Sequence, residues 1–244
     1  SSPSSSDTSS SEAAVSQAAE STLEDSSDAV TIRIGALKGP TGLGMLQLMQ
    51  EAADGEKPYT FTLAGAADEL TGKITTGELD AVALPTNSAA ALYNKTGGEI
   101  QIAMVNTLGV LYLVTAGDES ISTVSDLAGK TVYSSGQGTV AQYAFEYILS
   151  ANGLESGKDV TVEYKTEHSE IATLMASGQA EIAVLPQPFV TQATSQNSDL
   201  KIALDLTEEW DKAAGGTSIL TMGCLAVRRE FAQEHKEALD AFLE

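Results

Sequence analysis

Residues 136–141, Gly-Gln-Gly-Thr-Val-Ala, fit the pattern G-x-G-x-x-A, which binds dinucleotides where a strand ends and a helix begins. Glycine lets the backbone approach a ligand closely, and the free N–H groups at a helix N-terminus attract phosphate. Glu163 lies in the next predicted strand, where it imitates a ribose-binding acid at a longer spacing than usual. One such fingerprint is a nonspecific signal, so a dinucleotide-binding oxidoreductase using Gly136, Gly138 and Ala141 is kept as an alternative.

Small polar residues also occupy the other turns that follow predicted strands, together with one cation, Lys38. Ligands in open α/β sheets bind beyond the carboxyl ends of the strands, so these turns are expected to line one site. Each residue could also be a simple helix cap or turn former. The candidate ligand-binding residues are Lys38, Thr41, Gly42, Thr86, Asn87, Asn106, Thr107, Gln137, Gly138, Thr139, Gln187, Pro188, Phe189, Gly216 and Thr217.

The sequence shows no catalytic constellation. No Ser or Cys lies in a nucleophile-elbow pattern, and neither histidine neighbours a plausible nucleophile. His168 and His235 lie in charged stretches and are expected at the surface. The single cysteine, Cys224, excludes an internal disulfide and a multi-cysteine metal site, and its apolar surroundings predict a buried thiol. A binding protein without enzymatic activity, metal or cofactor is therefore predicted.

The charge of the chain limits its partners. The formal net charge is −21, which argues against nucleic acid and against an anionic lipid surface. Residues 1–30 contain twelve Ser, six acidic residues and no Lys or Arg, so they cannot bury enough apolar surface to fold and are predicted to be a disordered tether. No apolar run approaches the roughly twenty residues of a membrane span.

The elements that must position the polar turns form two similar series. The sequences GELDAVALP (residues 77–85) and GQAEIAVLP (residues 178–186) align without a gap, and each is the third strand of one α/β unit. The first unit has predicted strands at 31–36, 59–63, 80–84 and 100–105 and helices at 42–53, 66–76 and 87–94. The second has strands at 131–134, 160–164, 181–185 and 201–204 and helices at 139–150, 169–177 and 188–194. Aliphatic strands that alternate with helices predict mostly parallel sheets covered on both faces.

Two β-rich runs, residues 109–116 and 218–227, flank the second unit. They predict a chain that leaves lobe 1 after residue 116, builds lobe 2 from 117–217, and returns through 218–227 to a helix at 230–243. Lobe 1 would then comprise 31–116 and 218–244. Two crossings between two lobes would make a hinge.

Four stretches resemble type II periplasmic solute-binding proteins of ABC importers, in the nitrate/sulfonate/taurine and thiamine-precursor branch. They are GALKGPTGLGM (35–45), TGELDAVALPTNSAA (76–90), VSDLAGKTVYSSGQGT (124–139) and AVRREFAQEHKEALDAFL (226–243). The resemblance implies two Rossmann-like lobes joined by a two-crossing hinge. It also implies an extracytoplasmic, monomeric protein that delivers its ligand to an importer permease and is held at the membrane by a lipid anchor preceding residue 1. A ligand-sensing domain of a receptor is the other alternative.

The composition of the turns limits the ligand. Lys38 is their one cation and they contain no arginine, so bidentate recognition of a doubly charged anion is not expected. Helix N-termini hold one anionic group, and the amides of Asn87, Asn106, Gln137 and Gln187 suit the edge of a heterocycle. The sequence therefore predicts a small polar or mono-anionic ligand, and the resemblance allows a sulfonate or a thiamine-precursor-like pyrimidine.

Overall fold

The structure, a computed structural model, describes residues 29–117 and 119–244. The predicted tether at residues 1–30 lies almost entirely outside them. The described chain forms two five-stranded sheets, each covered by helices on both faces.

The first sheet has the order β2-β1-β3-β10-β4, with β1 parallel to β2 and β3 and with β10 antiparallel to β3 and β4. Its strands are β1 (Ile32–Leu37), β2 (Tyr59–Ala64), β3 (Ala81–Pro85), β4 (Ile100–Leu108) and β10 (Thr221–Arg228). Its helices are α1 (Pro40–Leu43), α2 (Leu46–Ala53), α3 (Ala67–Thr75), α4 (Thr86–Lys95), α9 (Arg229–Glu234) and α10 (Lys236–Leu243).

The second sheet repeats this arrangement with the order β7-β6-β8-β5-β9. Its strands are β5 (Leu111–Thr115), β6 (Thr131–Ser135), β7 (Thr161–Lys165), β8 (Ile182–Pro186) and β9 (Lys201–Asp205). Its helices are α5 (Val140–Ala151), α6 (His168–Ala176), α7 (Phe189–Gln196) and α8 (Leu206–Ala214), with a 3₁₀ turn at Val124–Leu127. The two repeated sequences are β3 and β8, which hold equivalent positions, so the structure explains why they are alike.

Alternate residues of each strand supply the two cores of a lobe. In the first lobe Ile34 and Leu225 pack under α2, α9 and α10, while Leu84 and Cys224 pack under α3 and α4. Strands buried on both faces must be aliphatic throughout, which is why their sequences run apolar rather than alternating.

The chain passes between the lobes earlier than predicted. Residues 109–116 were assigned to lobe 1, but β5 pairs with β8 and β9 in the second sheet. Each sheet therefore includes one antiparallel strand, β10 or β5, that enters next to its third parallel strand. A short β-rich run does not indicate which sheet it joins, because its pairing depends on strands that are distant in the sequence. The pairing favours a lobe boundary near Gly109.

Two predicted helices are each broken into a pair. The predicted helix at 42–53 is interrupted at Gly44 and Met45, and the one at 230–243 is interrupted at His235, whose φ of −128° and ψ of 43° are not helical. Phe231 and Leu239, on either side of the break, both pack in the core of the first lobe. Helix α8 was not predicted as a complete element.

Candidate functional site

A cleft of about 610 Å³ lies between the lobes at the carboxyl ends of their parallel strands. The first lobe lines it with residues 37–41, 65–68, 85 and 88, and the second lobe with residues 135–141, 164–169, 186 and 189. Leu111 and Met222, at the two crossings between the lobes, also line it. The predicted convergence is therefore present for the turns after β1, β3, β6 and β8, whereas the turns at residues 106–107 and 215–218 do not line the cleft.

The N-terminus of α5 supplies free backbone donors to this cleft. Val140 and Ala141 both line it, and their N–H groups have no partner among the described residues. The preceding turn is braced internally, because the hydroxyl of Thr139 donates to the carbonyl oxygen of Gly136 over 2.5 Å. Gly136 and Gly138 have φ values of 72° and 78°, which other residues rarely adopt. Free N–H groups and the helix dipole make this terminus suited to an anion.

His168, at the start of α6, lines the same cleft and is only partly exposed, so it is not at the open surface position that the sequence predicted. Its Nδ1 forms a hydrogen bond with the hydroxyl of Ser135, a residue that is 1 % exposed, and its ring faces Phe189 with the centroids 5.4 Å apart. Burial lowers the pKa of His168 to about 4. The imidazole is therefore neutral at pH 7 and contributes hydrogen bonding rather than charge.

Charges of both signs line the cleft. Lys38 and Lys165 are matched by Asp68 and Glu167, and no arginine is among the described lining residues. Lys165 lies over the ring of Tyr133, with Nζ 5.8 Å from the centroid. The lining as a whole therefore suits a ligand of low net charge.

Tyr164 adds a buried hydroxyl to the cleft wall. This hydroxyl has no hydrogen-bond partner among the described residues, and burial, followed by the nearby charge of Glu146, raises the pKa of Tyr164 to about 12. A neutral phenol without a partner is available to donate to a ligand.

The structure brings six of the predicted ligand-binding residues into the cleft lining: Lys38, Thr41, Gln137, Gly138, Thr139 and Phe189. Their contact with a ligand stays a prediction. Nine others lie outside the lining: Gly42, Thr86, Asn87, Asn106, Thr107, Gln187, Pro188, Gly216 and Thr217.

Local packing explains most of the nine. Gly42 lies against the carbonyl of Leu37 within α1, and Asn106 and Thr107 pack around Gly223 where β4 meets β10. Gln187 accepts a hydrogen bond from the hydroxyl of Thr191 over 2.9 Å, next to Pro188. Gly216 and Thr217 close the turn after α8, where the N–H of Gly216 donates to Asp211 and the Thr217 hydroxyl to Ala214. Thr86 starts α4, and Asn87 bridges the lobes as described below.

The turns after β2 and β7 were missed. Together with the end of β7, they supply residues 65–68 and 164–169, which include Lys165, Glu167 and His168. The rule used for the other turns would have found them, because both follow parallel strands. The charged residues of these turns are also typical of a solvated helix start, which masked the signal.

Comparison with models of protein families identifies the family of the chain. A model described as the periplasmic substrate-binding protein of a phosphonate ABC transporter matches residues 45–243. The chain therefore belongs to this family of ABC-transporter substrate-binding proteins. It is a binding protein and not an enzyme, so the prediction of a non-enzymatic binding protein is confirmed and the oxidoreductase alternative is wrong. Comparison with curated protein sequences gives no match.

Solved structures share the fold. An ABC transporter structure from Parabacteroides distasonis is 23 % identical with a TM-score of 0.66, covering 86 % of this chain and 70 % of that chain. The alkanesulfonate-binding protein of Xanthomonas axonopodis, bound to MOPS, is 17 % identical with a TM-score of 0.62, covering 87 % and 70 %. The periplasmic nitrate-binding protein of Synechocystis is 14 % identical with a TM-score of 0.65, covering 88 % and 60 %. The predicted type II solute-binding fold is confirmed.

The family is periplasmic, in agreement with the predicted extracytoplasmic location. Within residues 29–117 and 119–244, none of the helices combines the length and the apolar character needed to cross a bilayer.

Proposed function

We propose that the protein captures a small organic molecule with a single negative charge, of the sulfonate or phosphonate class, by closing its two lobes, and delivers it to an importer permease. The observation that carries this proposal is the pair of free N–H groups of Val140 and Ala141 at the cleft. Ser135 and the neutral His168, which are hydrogen-bonded to each other, line the same cleft. An oxyanion held there accepts several hydrogen bonds without any arginine.

The charges of the cleft support a limit of one negative charge. Lys38 and Lys165 attract an anion, but Asp68 and Glu167 offset them, so a doubly charged ligand gains little. The sulfonate-binding and nitrate-binding neighbours in fold support the same ligand class by analogy.

A pyrimidine of the thiamine-precursor kind is the second candidate. Phe189 offers the face of a ring in the cleft, and the Tyr164 hydroxyl and the Gln137 amide could meet the edge of a heterocycle. This candidate needs no negative charge on the ligand.

Calorimetry with matched variants tests the proposal after native mass spectrometry has recorded any co-purifying ligand. The probes are methylphosphonate, methanesulfonate, nitrate and an aminomethylpyrimidine. Val140→Pro removes one N–H at the first position of α5, where no helical hydrogen bond is lost and proline is tolerated. The preceding Thr139 is already extended, with φ −108° and ψ 176°, as a residue before proline must be.

Val140→Pro is expected to weaken binding of the anionic probes by roughly tenfold, while Val140→Ala, which keeps the N–H, leaves their affinity nearly unchanged. Equal affinities of the anionic probes for both variants would contradict an anion-binding site at the N-terminus of α5. Preference for the pyrimidine would support the second candidate. Submicromolar binding of a polyphosphate or a dicarboxylate would contradict the charge limit.

The partner, the oligomeric state and the attachment of the protein are part of this proposal, and its class supports an importer permease as the partner. An importer permease is the proposed recipient of the ligand, and a monomer held by a lipid anchor is the proposed form in the periplasm or at the cell surface. Light scattering of the purified protein tests the monomer. Copurification with a receptor or kinase in place of a permease would favour the sensing alternative.

A further inference from the structure

Asn87 connects the two lobes directly. It lies in the first turn of α4 in the first lobe, and its Nδ2 donates to the carbonyl oxygen of Gly138 in the second lobe over 2.8 Å. The two residues are 51 positions apart in the sequence. Gly138 belongs to the turn that leads into the N-terminus of α5. The bond from Asn87 therefore holds the segment that is proposed to bind the anion.

Gly138 is also held from within its own lobe. Its N–H donates to Oε1 of Gln142 over 2.7 Å, and Nε2 of Gln142 donates to Oε1 of Glu146 over 2.8 Å. Both backbone polar atoms of Gly138 are therefore occupied in this state and neither serves a ligand. The contribution of Asn87 is to hold the turn in place from the opposite lobe.

Asn87 does not act as a ligand contact in this geometry. It is outside the cleft lining, whereas the following residue, Ser88, is part of it. Its Oδ1 is buried and has no partner among the described residues. Its amide could turn toward a ligand only by breaking the bond to Gly138.

We infer that Asn87 is a positioning residue that latches the closed state and holds the α5 turn in its binding geometry. Two further close approaches between the lobes involve glycines. A β-carbon at Gly39 would lie 3.7 Å from Phe189 Cε2, and one at Gly65 would lie 2.8 Å from Glu167 Oε1. Asn87 adds a directional bond across the cleft, and moving the lobes apart would break it, so it favours closure over opening. Its role in ligand capture rests on the proposed function.

Distance measurement between spin labels tests the latch without any ligand, so its outcome is independent of the ligand assignment. Cysteines replace Thr75 at the end of α3 and Ser177 at the end of α6, two exposed positions in different lobes. Both helices start at the cleft, so these ends separate when it opens. The native Cys224 is fully buried and is not expected to react with the label.

Asn87→Ala is expected to move the distance distribution toward longer values, with a decrease of about fivefold in the ratio of closed to open protein. Asn87→Asp keeps the shape of the side chain but has no N–H to donate, and is expected to show the same shift. Asn94→Ala makes the same deletion at an exposed position of α4 and should leave the distribution unchanged. Distributions identical to the wild type in folded Asn87→Ala or Asn87→Asp protein would overturn the latch.

Discussion

Arg33 and Asp80 form a bidentate ion pair at the end of the first sheet where its parallel strands begin, opposite the cleft. Nε of Arg33 lies 3.0 Å from Oδ2 of Asp80, and Nη2 lies 2.7 Å from Oδ1. The backbone N–H of Arg33 also donates to Oδ2 over 2.9 Å, and Nη2 of Arg228 donates to Oδ1 over 2.9 Å. This carboxylate, in a residue only 2 % exposed, thus ties together β1, the start of β3 and the end of β10.

Asp80→Asn is expected to lower the free energy of unfolding at pH 7 by about 2 kcal/mol, because the charge-assisted bonds to both arginines are lost. Burial alone would raise the pKa of Asp80, but the bonds from Arg33 and Arg228 outweigh it and hold the pKa below its usual value. This stabilisation is therefore present above the unfolded pKa of about 3.9 and is lost as the pH falls through the lower folded value.

Urea unfolding at pH 7 and near pH 3 measures this effect. Glu78→Gln is the control, since it removes the exposed Lys73–Glu78 pair and should change stability little. An Asp80→Asn variant as stable as the wild type at pH 7 would contradict the role of the ion pair.

His168→Gln is expected to flatten the dependence of the melting temperature on pH between about 4 and about 6.5. Burial depresses the folded pKa of His168, so the unfolded chain binds more protons in this window and stability falls as the pH is lowered. His235→Gln removes the other histidine, which lies against Phe231 outside the cleft, and serves as the control. An unchanged slope in His168→Gln would show that His168 titrates normally.

Lys38→Ala and Lys165→Ala are each expected to weaken methylphosphonate or methanesulfonate binding by roughly three- to tenfold at low salt, with a smaller effect at high salt. Both lysines line the cleft, from opposite lobes. Lys57→Ala, at an exposed position before β2, is the matched control and should leave affinity unchanged. Calorimetry at two ionic strengths measures the effect, and wild-type affinity in both cleft variants would place the anion elsewhere.

Gly109→Ala is expected to destabilise the protein by about 1–3 kcal/mol, because an added β-carbon would lie 2.2 Å from Oγ1 and 2.9 Å from Cγ2 of Thr207. Gly109 lies between β4 and β5, where the chain first crosses between the lobes. The double variant Gly109→Ala/Thr207→Ala removes both clashing atoms and should recover part of the loss in thermal unfolding. Additive losses in the double variant would mean that the clash is not the cause.

Much of the fold could be predicted from local patterns. The aliphatic runs of β3 and β8 mark the repeated unit directly in the sequence, because a glycine that ends a helix precedes each run and a proline ends it. The order of strands and helices along the chain follows from these patterns, because burial on both faces of a sheet restricts which residues a strand can contain.

The pairing of β5, the neutral state of His168 and the bond from Asn87 to Gly138 depended on the tertiary structure. Each involves residues far apart in the sequence, such as Ser135 and His168, and local composition does not encode which distant groups meet. The charged stretch around His168 is typical of an exposed helix start, and only the approach of Ser135 and Phe189 partly buries the ring. The sequence by itself therefore determined the duplicated α/β architecture and the strand ends that carry the site. The tertiary structure decided which side chains line the cleft and which one joins the lobes, because burial and hydrogen-bond partners are set by the packing within each lobe and by the way the two lobes meet at the cleft.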